Sequence, residues 1–395
     1  MRLLIASEAR FVHAGGRIWT AGPEEYAFWT SYTGAFDQVG VLARVADRPE
    51  PPDGARPADG AGVRFHRLCD YRGPVEYLSH LPRLRRDARD AVDTYDGYLL
   101  RAPAAVAYLA RDAIGGRRAY GVEVLGDPWE SLGPAAGPFH ALRPIARRWS
   151  RRRLTSLCRG AVAACYVSDT LRRQYPAPQA PVWLCSDVRL DQAVPDAALA
   201  ARRVQFSEAA SGKRPWRLGF LGSLERLYKA PEVHLDALDQ CRSAGLQVEL
   251  HLAGDGRFRP ALERRAARLG LNGAVRFLGP LPPGAPVERF LDSLDLFLLA
   301  SRTEGLPRAL VEAMARACPA IGSTAGGIPE LLPPADLVAP GRADALAARI
   351  AECITNSDRL WIMARRNLSV ARQYLWERLA PRRREFLCHL RSCSI

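Results

Sequence analysis

Leu296-Phe297-Leu298-Leu299-Ala300-Ser301-Arg302-Thr303-Glu304-Gly305-Leu306-Pro307-Arg308-Ala309-Leu310-Val311-Glu312-Ala313-Met314 passes from an unbroken apolar run into a helical pattern within a few residues. Leu296 to Ala300 has the length and composition of a buried strand, Gly305 permits a tight turn, and Pro307 suits the first helical position. From there Ala309, Leu310, Ala313, Met314 and Ala317 fall on one arc at helical spacing, and Glu312 lies outside it. Glu304 therefore hangs at the strand's carboxyl end, where the ligand crevice of an open α/β sheet lies and a helix amino terminus offers N–H groups to anions.

Outward from this segment the same alternation repeats. Strand-like runs at Arg217 to Leu221, Val248 to Ala253, Ala274 to Leu278 and Ala320 to Ser323 are each followed by a helical pattern. In the first half, Leu3 to Ser7, Gly40 to Val45, Gly97 to Leu100, Tyr120 to Leu125, Ala161 to Val167 and Val182 to Cys185 read as strands, with helical stretches at Tyr77 to Val92 and Ala104 to Ile114. This is βαβ patterning, so the fold class is α/β with two Rossmann-like, doubly wound domains facing a cleft. The expected division is 1–190 for the first domain, 191–215 for a connection and 216–372 for the second domain. Residues 373–395 make a terminal helix. Pro49 to Gly62 reads as a surface loop.

Composition narrows the class further. The 395 residues are 48% hydrophobic and 25% charged, which is ordinary for a globular protein of two domains. No apolar run reaches the ~18 residues of a membrane span, and the first residues form no signal-peptide core, so a cytoplasmic location is expected. Nine cysteines without a Cys-x-x-Cys pair indicate reduced, mostly buried thiols and no zinc site. The net charge of +14 is carried by arginine, because Lys213 and Lys229 are the only lysines. In such a chain a retained lysine points to a need for a compact charge.

That lysine closes a second motif. Gly219-Phe220-Leu221-Gly222-Ser223-Leu224, then Tyr228-Lys229-Ala230-Pro231, reads as strand, phosphate loop and helix start. Gly222 admits close backbone approach, and Lys229 supplies charge to a diphosphate. A carboxylate placed like Glu312 can accept two hydroxyls of a vicinal diol such as a ribose; two solvated glutamates on a surface helix are the alternative.

Taken with Gly326-Gly327-Ile328-Pro329-Glu330, the segment Glu304-Gly305-Leu306-Pro307 to Glu312 resembles the donor-site signature of retaining GT-B glycosyltransferases of family 4, the glycosyl transferases group 1. The similarity is dense from about Arg217 to Gly341. It implies transfer of a sugar from a nucleotide-diphosphate sugar, a co-substrate rather than a cofactor, to a hydroxyl of a glycan or lipid-linked glycan, with no metal. It implies Glu304 beside the transferred sugar, Glu312 on the ribose, Lys229 on the leaving group, and Gly305, Leu306 and Pro307 lining the phosphates. The terminal helix would cross back onto the first domain.

Two positions depart from the family pattern: Ser223 stands where relatives carry Arg, with Arg226 the candidate replacement, and Ala230 stands where they carry Gly. Asp127, in Gly126-Asp127-Pro128-Trp129-Glu130, occupies the place of a frequent active-site histidine. It either orients sugar hydroxyls or caps the following turn. Gly15-Gly16-Arg17 is a candidate acceptor-side loop facing the diphosphate, with His13 and His140 as spare candidates. The rivals are a phosphorylase or epimerase on the same fold and a non-catalytic nucleotide-sugar or polyanion binder.

Arg143, Arg147, Arg148, Arg151, Arg152 and Arg153 alternate with Leu142, Ile145, Ala146, Trp149 and Leu154. Such a run is either a solvated face or a peripheral contact with an anionic membrane. No nucleic-acid module is recognisable.

Overall fold

Strand residues of the two halves alternate between opposite cores, which makes each sheet the middle layer of its domain. A computed structural model of the chain describes residues 1–116, 118–128, 143–188 and 190–394. In the first domain the strands are β1 (Arg2–Ala14), β2 (Arg17–Thr20), β3 (Gln38–Asp47), β4 (Arg56–Pro57), β5 (Val63–Cys69), β6 (Gly97–Ala102), β7 (Gly121–Val124), β8 (Ala163–Tyr166) and β9 (Val182–Leu184). The parallel strands run in the order β5-β3-β1-β6-β7-β8-β9. Leu4 and Ala6 of β1 enter one core while Leu3 and Ile5 enter the other, so both faces are covered.

The second domain holds β10 (Trp216–Leu221), β11 (Val248–Ala253), β12 (Val275–Gly279), β13 (Leu296–Leu299), β14 (Ala320–Ser323) and β15 (Leu337–Val338). All are parallel, in the order β12-β11-β10-β13-β14-β15. Leu296 and Leu298 face one core, Phe297 and Leu299 the other. The order reverses between β10 and β13, which pair at Leu218 with Leu296 and at Gly219 with Phe297. Loops leaving these two strands therefore meet at a topological switch point, the place where open α/β sheets bind ligands.

Several elements differ from the sequence expectation. The 191–215 connection is not bare: it contains the helix Ala198–Ala210, whose Phe206 and Ala209 join the second domain's core. Its buried Arg202 donates to the carbonyls of Leu291 (2.9 Å) and Arg316 (2.9 Å). Strands β2, β4 and β5 lie where no strand was expected, and β4 sits inside the Pro49–Gly62 loop. The chain leaves the first domain and returns side by side, since Leu190 bridges to Leu375 and its carbonyl accepts from the Trp376 amide at 2.8 Å.

The final helix, Trp376–Cys393, packs on the first domain through Phe386, Leu387 and Leu390, which share a core with Leu3 and Ile5. Its buried Arg383 donates to the Tyr32 hydroxyl and to Glu123, both at 2.6 Å. Glu123 also accepts from Arg101 at 3.1 Å, and Asp187 from Arg101 at 2.7 Å. Every charge in this cluster has a partner, as burial demands. Cys158, Cys165, Cys185, Cys241, Cys318 and Cys353 are buried free thiols.

Candidate active site

Glu304 is held from two directions. β13 is buried along its length and ends beside Ser301, whose hydroxyl donates to Glu304 Oε1 at 2.9 Å. Ser301 is fixed in turn, because the Ser323 hydroxyl at the end of β14 donates to its carbonyl at 2.6 Å. From the neighbouring loop after β10, Lys229 Nζ reaches the same Glu304 oxygen at 2.6 Å, the two side chains being 12% and 9% exposed. Burial by itself pushes the Lys229 pKa down, but the Glu304 carboxylate and the Tyr228 ring outweigh it and the ammonium titrates above its ordinary value. The lysine is charged at neutral pH.

The loop carrying Lys229 is a short 3-10 turn, Leu227–Lys229, followed by Ala230 in the left-handed region (φ 53°, ψ 47°) and by Pro231 opening the helix Pro231–Ser243. A glycine relative at this position would be unstrained, whereas alanine there costs about 1 kcal/mol. Gly222 is needed because a Cβ on it would stand 2.6 Å from Lys229 Cδ. Arg302, next to Ser301, staples the turn: its amide donates to the Tyr228 carbonyl at 2.7 Å and its guanidinium to the Leu227 carbonyl at 3.1 Å and to Glu232. One dipeptide, Ser301-Arg302, thus orients both the carboxylate and the loop that bears the cation.

Pro307 is the cap of the helix Arg308–Ala315 rather than its first residue, which corrects the sequence reading by one position. The first amides of the helix, those of Arg308 and Ala309, have no intrahelical acceptor. Leu310, Val311, Ala313, Met314 and Ala315 bury the core side, leaving Glu312 half-buried on the other. Glu312 makes no hydrogen bond or ion pair among the described residues; burial raises its pKa, and Arg308 and Lys229 offset this in part. Arg308 thus belongs to the site's field, a residue the sequence reading passed over although a cation at a helix start is itself a signal. Equally missed were Gly254 and Gly256, at φ 139° and 153°, where any Cβ would overlap the backbone of Gly222 and of Leu224-Glu225.

The Gly326-Gly327 turn lies directly against Glu304-Gly305. The Gly327 amide donates to the Gly305 carbonyl at 2.8 Å, and a Cβ on Gly326 would overlap the Glu304 carbonyl. Ser223 and Arg226 are exposed: the Ser223 hydroxyl accepts from the Glu225 amide at 3.2 Å, and Arg226 makes no ion pair or hydrogen bond among the described residues.

On the first domain, Asp127 follows β7 and is buried, accepting from the Tyr175 hydroxyl at 2.5 Å and from the Gln174 amide at 2.8 Å. Both oxygens serve to hold the helix Asp169–Gln174, so the carboxylate is a fastening more than an open ligand. Gly15 and Gly16 are both in the left-handed region (φ 58° and 74°). They turn β1 back as an antiparallel hairpin with β2, pairing Ala14 with Arg17, and Arg17 donates to the Asp59 carbonyl. β1 runs on well past Ala6, its last residue paired with β6, and so carries the glycines off the sheet edge where the other loops gather. His13 is bound to Asp47 at 2.8 Å on the surface. Trp129, Glu130 and His140 lie outside the described residues.

The helix Arg143–Arg159 has no acidic residue, and its outer face exposes Ile145, Arg148, Trp149, Arg152 and Arg159. Arg153 is used internally, pairing with Asp112 at 2.7 Å and lying over the rings of Tyr108 and Trp149. Among the described residues there is no group of three or more His, Cys, Asp or Glu side chains placed to hold a metal ion, and no helix long and apolar enough to cross a membrane.

Residues 215–356, the segment that contributes Lys229, Glu304 and Glu312, match the family described as "Glycosyl transferases group 1". Protein CapJ of Staphylococcus aureus is 23% identical over 304 residues, 76% of this chain and 73% of that protein. The putative colanic acid biosynthesis glycosyltransferase WcaL of Salmonella typhimurium is 33% identical over 141 residues; the match takes in 33% of this chain and 34% of WcaL, about a third of each. Among solved structures, Anabaena Alr3699/HepE in complex with UDP-glucose superposes with a TM-score of 0.66 at 21% identity, over 99% of this chain and 100% of that one. Two parallel sheets facing a cleft, crossed by a returning terminal helix, are the GT-B fold.

Proposed function

We propose that this chain, whose residues 215–356 form a group 1 glycosyltransferase domain, moves a sugar from a nucleotide-diphosphate sugar to a hydroxyl of a glycan or lipid-linked glycan, with retention at the anomeric carbon. The observation that carries the reading is the grouping of Lys229, Glu304 and Glu312 beside an open helix start at the β10/β13 switch point. Polysaccharide or glycoconjugate biosynthesis as the setting is supported by the names of proteins this chain is similar to, the putative colanic acid biosynthesis glycosyltransferase WcaL and an amylovoran biosynthesis glycosyltransferase of Erwinia amylovora.

Each group has a task in that reaction. Glu312, which has no hydrogen-bond or ion-pair partner among the described residues, accepts from the two ribose hydroxyls. The diphosphate lies across Gly222 and the first amides of the helix Arg308–Ala315, and competes with Glu304 for Lys229. As the bond from the anomeric carbon to the leaving phosphate oxygen breaks, negative charge grows beside the ammonium and the amides, where fixed donors lower the barrier. The acceptor oxygen bonds to that carbon from the same face, and its proton passes to the departing phosphate oxygen, so no protein nucleophile is consumed. Glu304, held by Ser301, contacts the transferred sugar. No metal is assigned a role.

The basic helix Arg143–Arg159 is proposed as a peripheral contact with anionic lipid, consistent with an acceptor held at a membrane. The central proposal is tested with a thermal-shift panel of UDP-, GDP- and ADP-sugars, because ligand binding to the folded state raises its stability. The product's anomeric configuration is then read by NMR. An inverted product refutes retention, and no response to any nucleotide sugar refutes the donor site.

A further inference from the structure

The two domains touch at the donor-site loops themselves, in three places. Gly305 comes so near the first domain that a Cβ on it would overlap the Leu125 carbonyl oxygen. Gly327 faces Ser168, with its own hypothetical Cβ 3.3 Å from the serine Cβ. Three residues further on, the carboxylate of Glu330 crosses to the first domain and accepts the amide hydrogens of Asp169 (2.8 Å, Oε2) and Thr170 (2.8 Å, Oε1). These are the opening amides of the helix Asp169–Gln174, where a carboxylate is stabilised by both hydrogen bonding and the helix field. The other end of that helix supplies Gln174 and leads into Tyr175, the two residues that hold Asp127.

We propose that Glu330 is a positioning residue that locks the first domain in register with Glu304 by binding the Asp169 and Thr170 amides, so that the cleft closes around the donor in one alignment. A physical path supports this. The Glu304-Gly305 loop is bonded to Gly327, the turn Ile328–Glu330 follows it directly, and Glu330 ends on the helix that fastens Asp127. Any shift of the donor loop is thereby passed to the carboxyl edge of β7, and any rotation of the first domain is resisted at the donor loop. Gly305 and Gly327 keep this interface tight by having no side chains to hold the domains apart. The contact itself stands on the geometry; its part in transfer rests on the reading given above.

Asp169→Pro provides a test from the opposite side of the contact. Proline is accepted at a first helical position, and Ser168 before it is already extended at φ −147° and ψ 153°, so the helix start survives while one donor disappears. In Glu330→Ala, hydrogen exchange at the Thr170 amide should quicken by about tenfold or more, the usual consequence of losing a charge-assisted bond. The radius of gyration from small-angle scattering should also rise. Asp169→Pro, which leaves the Thr170 donor, and Glu330→Gln, which keeps one acceptor oxygen, should each give an intermediate expansion, and Glu330→Ala combined with Asp169→Pro no more than Glu330→Ala alone. UDP affinity, measured by calorimetry, should stay within about twofold in all of them, since twofold is only about 0.4 kcal/mol, well inside what a lost hydrogen bond to the nucleotide would cost. Unchanged exchange and dimensions in Glu330→Ala would overturn the proposal, as would a fall in UDP affinity matching the expansion, which would put Glu330 in the nucleotide pocket instead. A parent protein that binds no UDP would count against the UDP donor reading alone, because exchange and scattering report the contact without any ligand.

Discussion

Replacing Lys229 by Met tests the centre of the site in two independent ways. In the free protein the ammonium and the Glu304 carboxylate lie 2.6 Å apart at 12% and 9% exposure, so removing one leaves the other nearly buried. Breaking a buried pair costs about 3–5 kcal/mol, and because Ser301 keeps one hydrogen bond to Glu304 the lower end applies, about 3 kcal/mol. Replacing both partners, Lys229→Met with Glu304→Leu, removes the stranded charge and should recover most of that loss, giving a coupling of about 1–3 kcal/mol in a double-mutant cycle. Urea unfolding of the nucleotide-free protein measures all four members. The folded-state pKa of Lys229 is raised above 10.5, so its contribution is complete at lower pH and disappears as pH climbs through the raised value. The cost of Lys229→Met should therefore be flat from about pH 6 to 9 and shrink only above the ordinary lysine range.

Turnover should respond to a different property of the same residue. If the ammonium neutralises the leaving diphosphate, Lys229→Met lowers turnover by ~100-fold or more, and Lys229→Arg restores part of it because its fork is larger and differently directed. Additivity of the two single variants within about 0.5 kcal/mol would show that the pair seen in the free protein carries no energy. Parental turnover in Lys229→Met would remove the lysine from the chemistry altogether.

Glu312→Gln should weaken nucleotide binding by about 1–3 kcal/mol in calorimetry. It should also leave the free protein at least as stable at pH 7, because a carboxyl whose folded pKa is raised by burial destabilises the fold as pH rises through that value; a less stable variant would contradict the unpartnered carboxylate. Ala230→Gly should raise stability by about 0.5–1 kcal/mol through relief of the left-handed alanine, and a loss on thermal unfolding would contradict that strain. Arg148→Gln, Arg152→Gln and Arg159→Gln together should abolish salt-sensitive sedimentation with phosphatidylglycerol vesicles, each arginine contributing about 1 kcal/mol near such a surface; indifference of the parent protein to vesicles at low salt would leave the helix a solvated face. Turnover should persist in excess EDTA, and a strict requirement for added Mn²⁺ would contradict the metal-free mechanism.

The sequence disclosed what depends on local pattern and concealed what depends on partners distant in the chain. β10 to β14 are short apolar runs between helical patterns, so their positions were legible to within a residue or two. β5 was not, because Val63-Arg64-Phe65-His66-Arg67-Leu68-Cys69 is a sheet-edge strand whose charged residues break the apolar run. The Gly15-Gly16 hairpin was not legible for a related reason: a pair of glycines after a strand signals a turn, but the reversal that pairs Ala14 with Arg17 depends on β1 running on past Ala6, its last residue paired with β6. Motif spacing likewise identified Glu304, Lys229 and Glu312 separately, yet the salt bridge between the first two arises from strand order. β10 and β13 are neighbours only because the sheet reverses direction between them, and nothing local to either loop encodes that adjacency. The supporting residues follow the same logic. Ser301 and Arg302 matter through Ser323, Leu227 and Tyr228, and Gly305 through a carbonyl of the other domain. A glycine within a signature motif reads from sequence as freedom for a turn or a ligand; at Gly305 the space it preserves is taken by Leu125, so domain contact and the proposed donor site constrain the same residue.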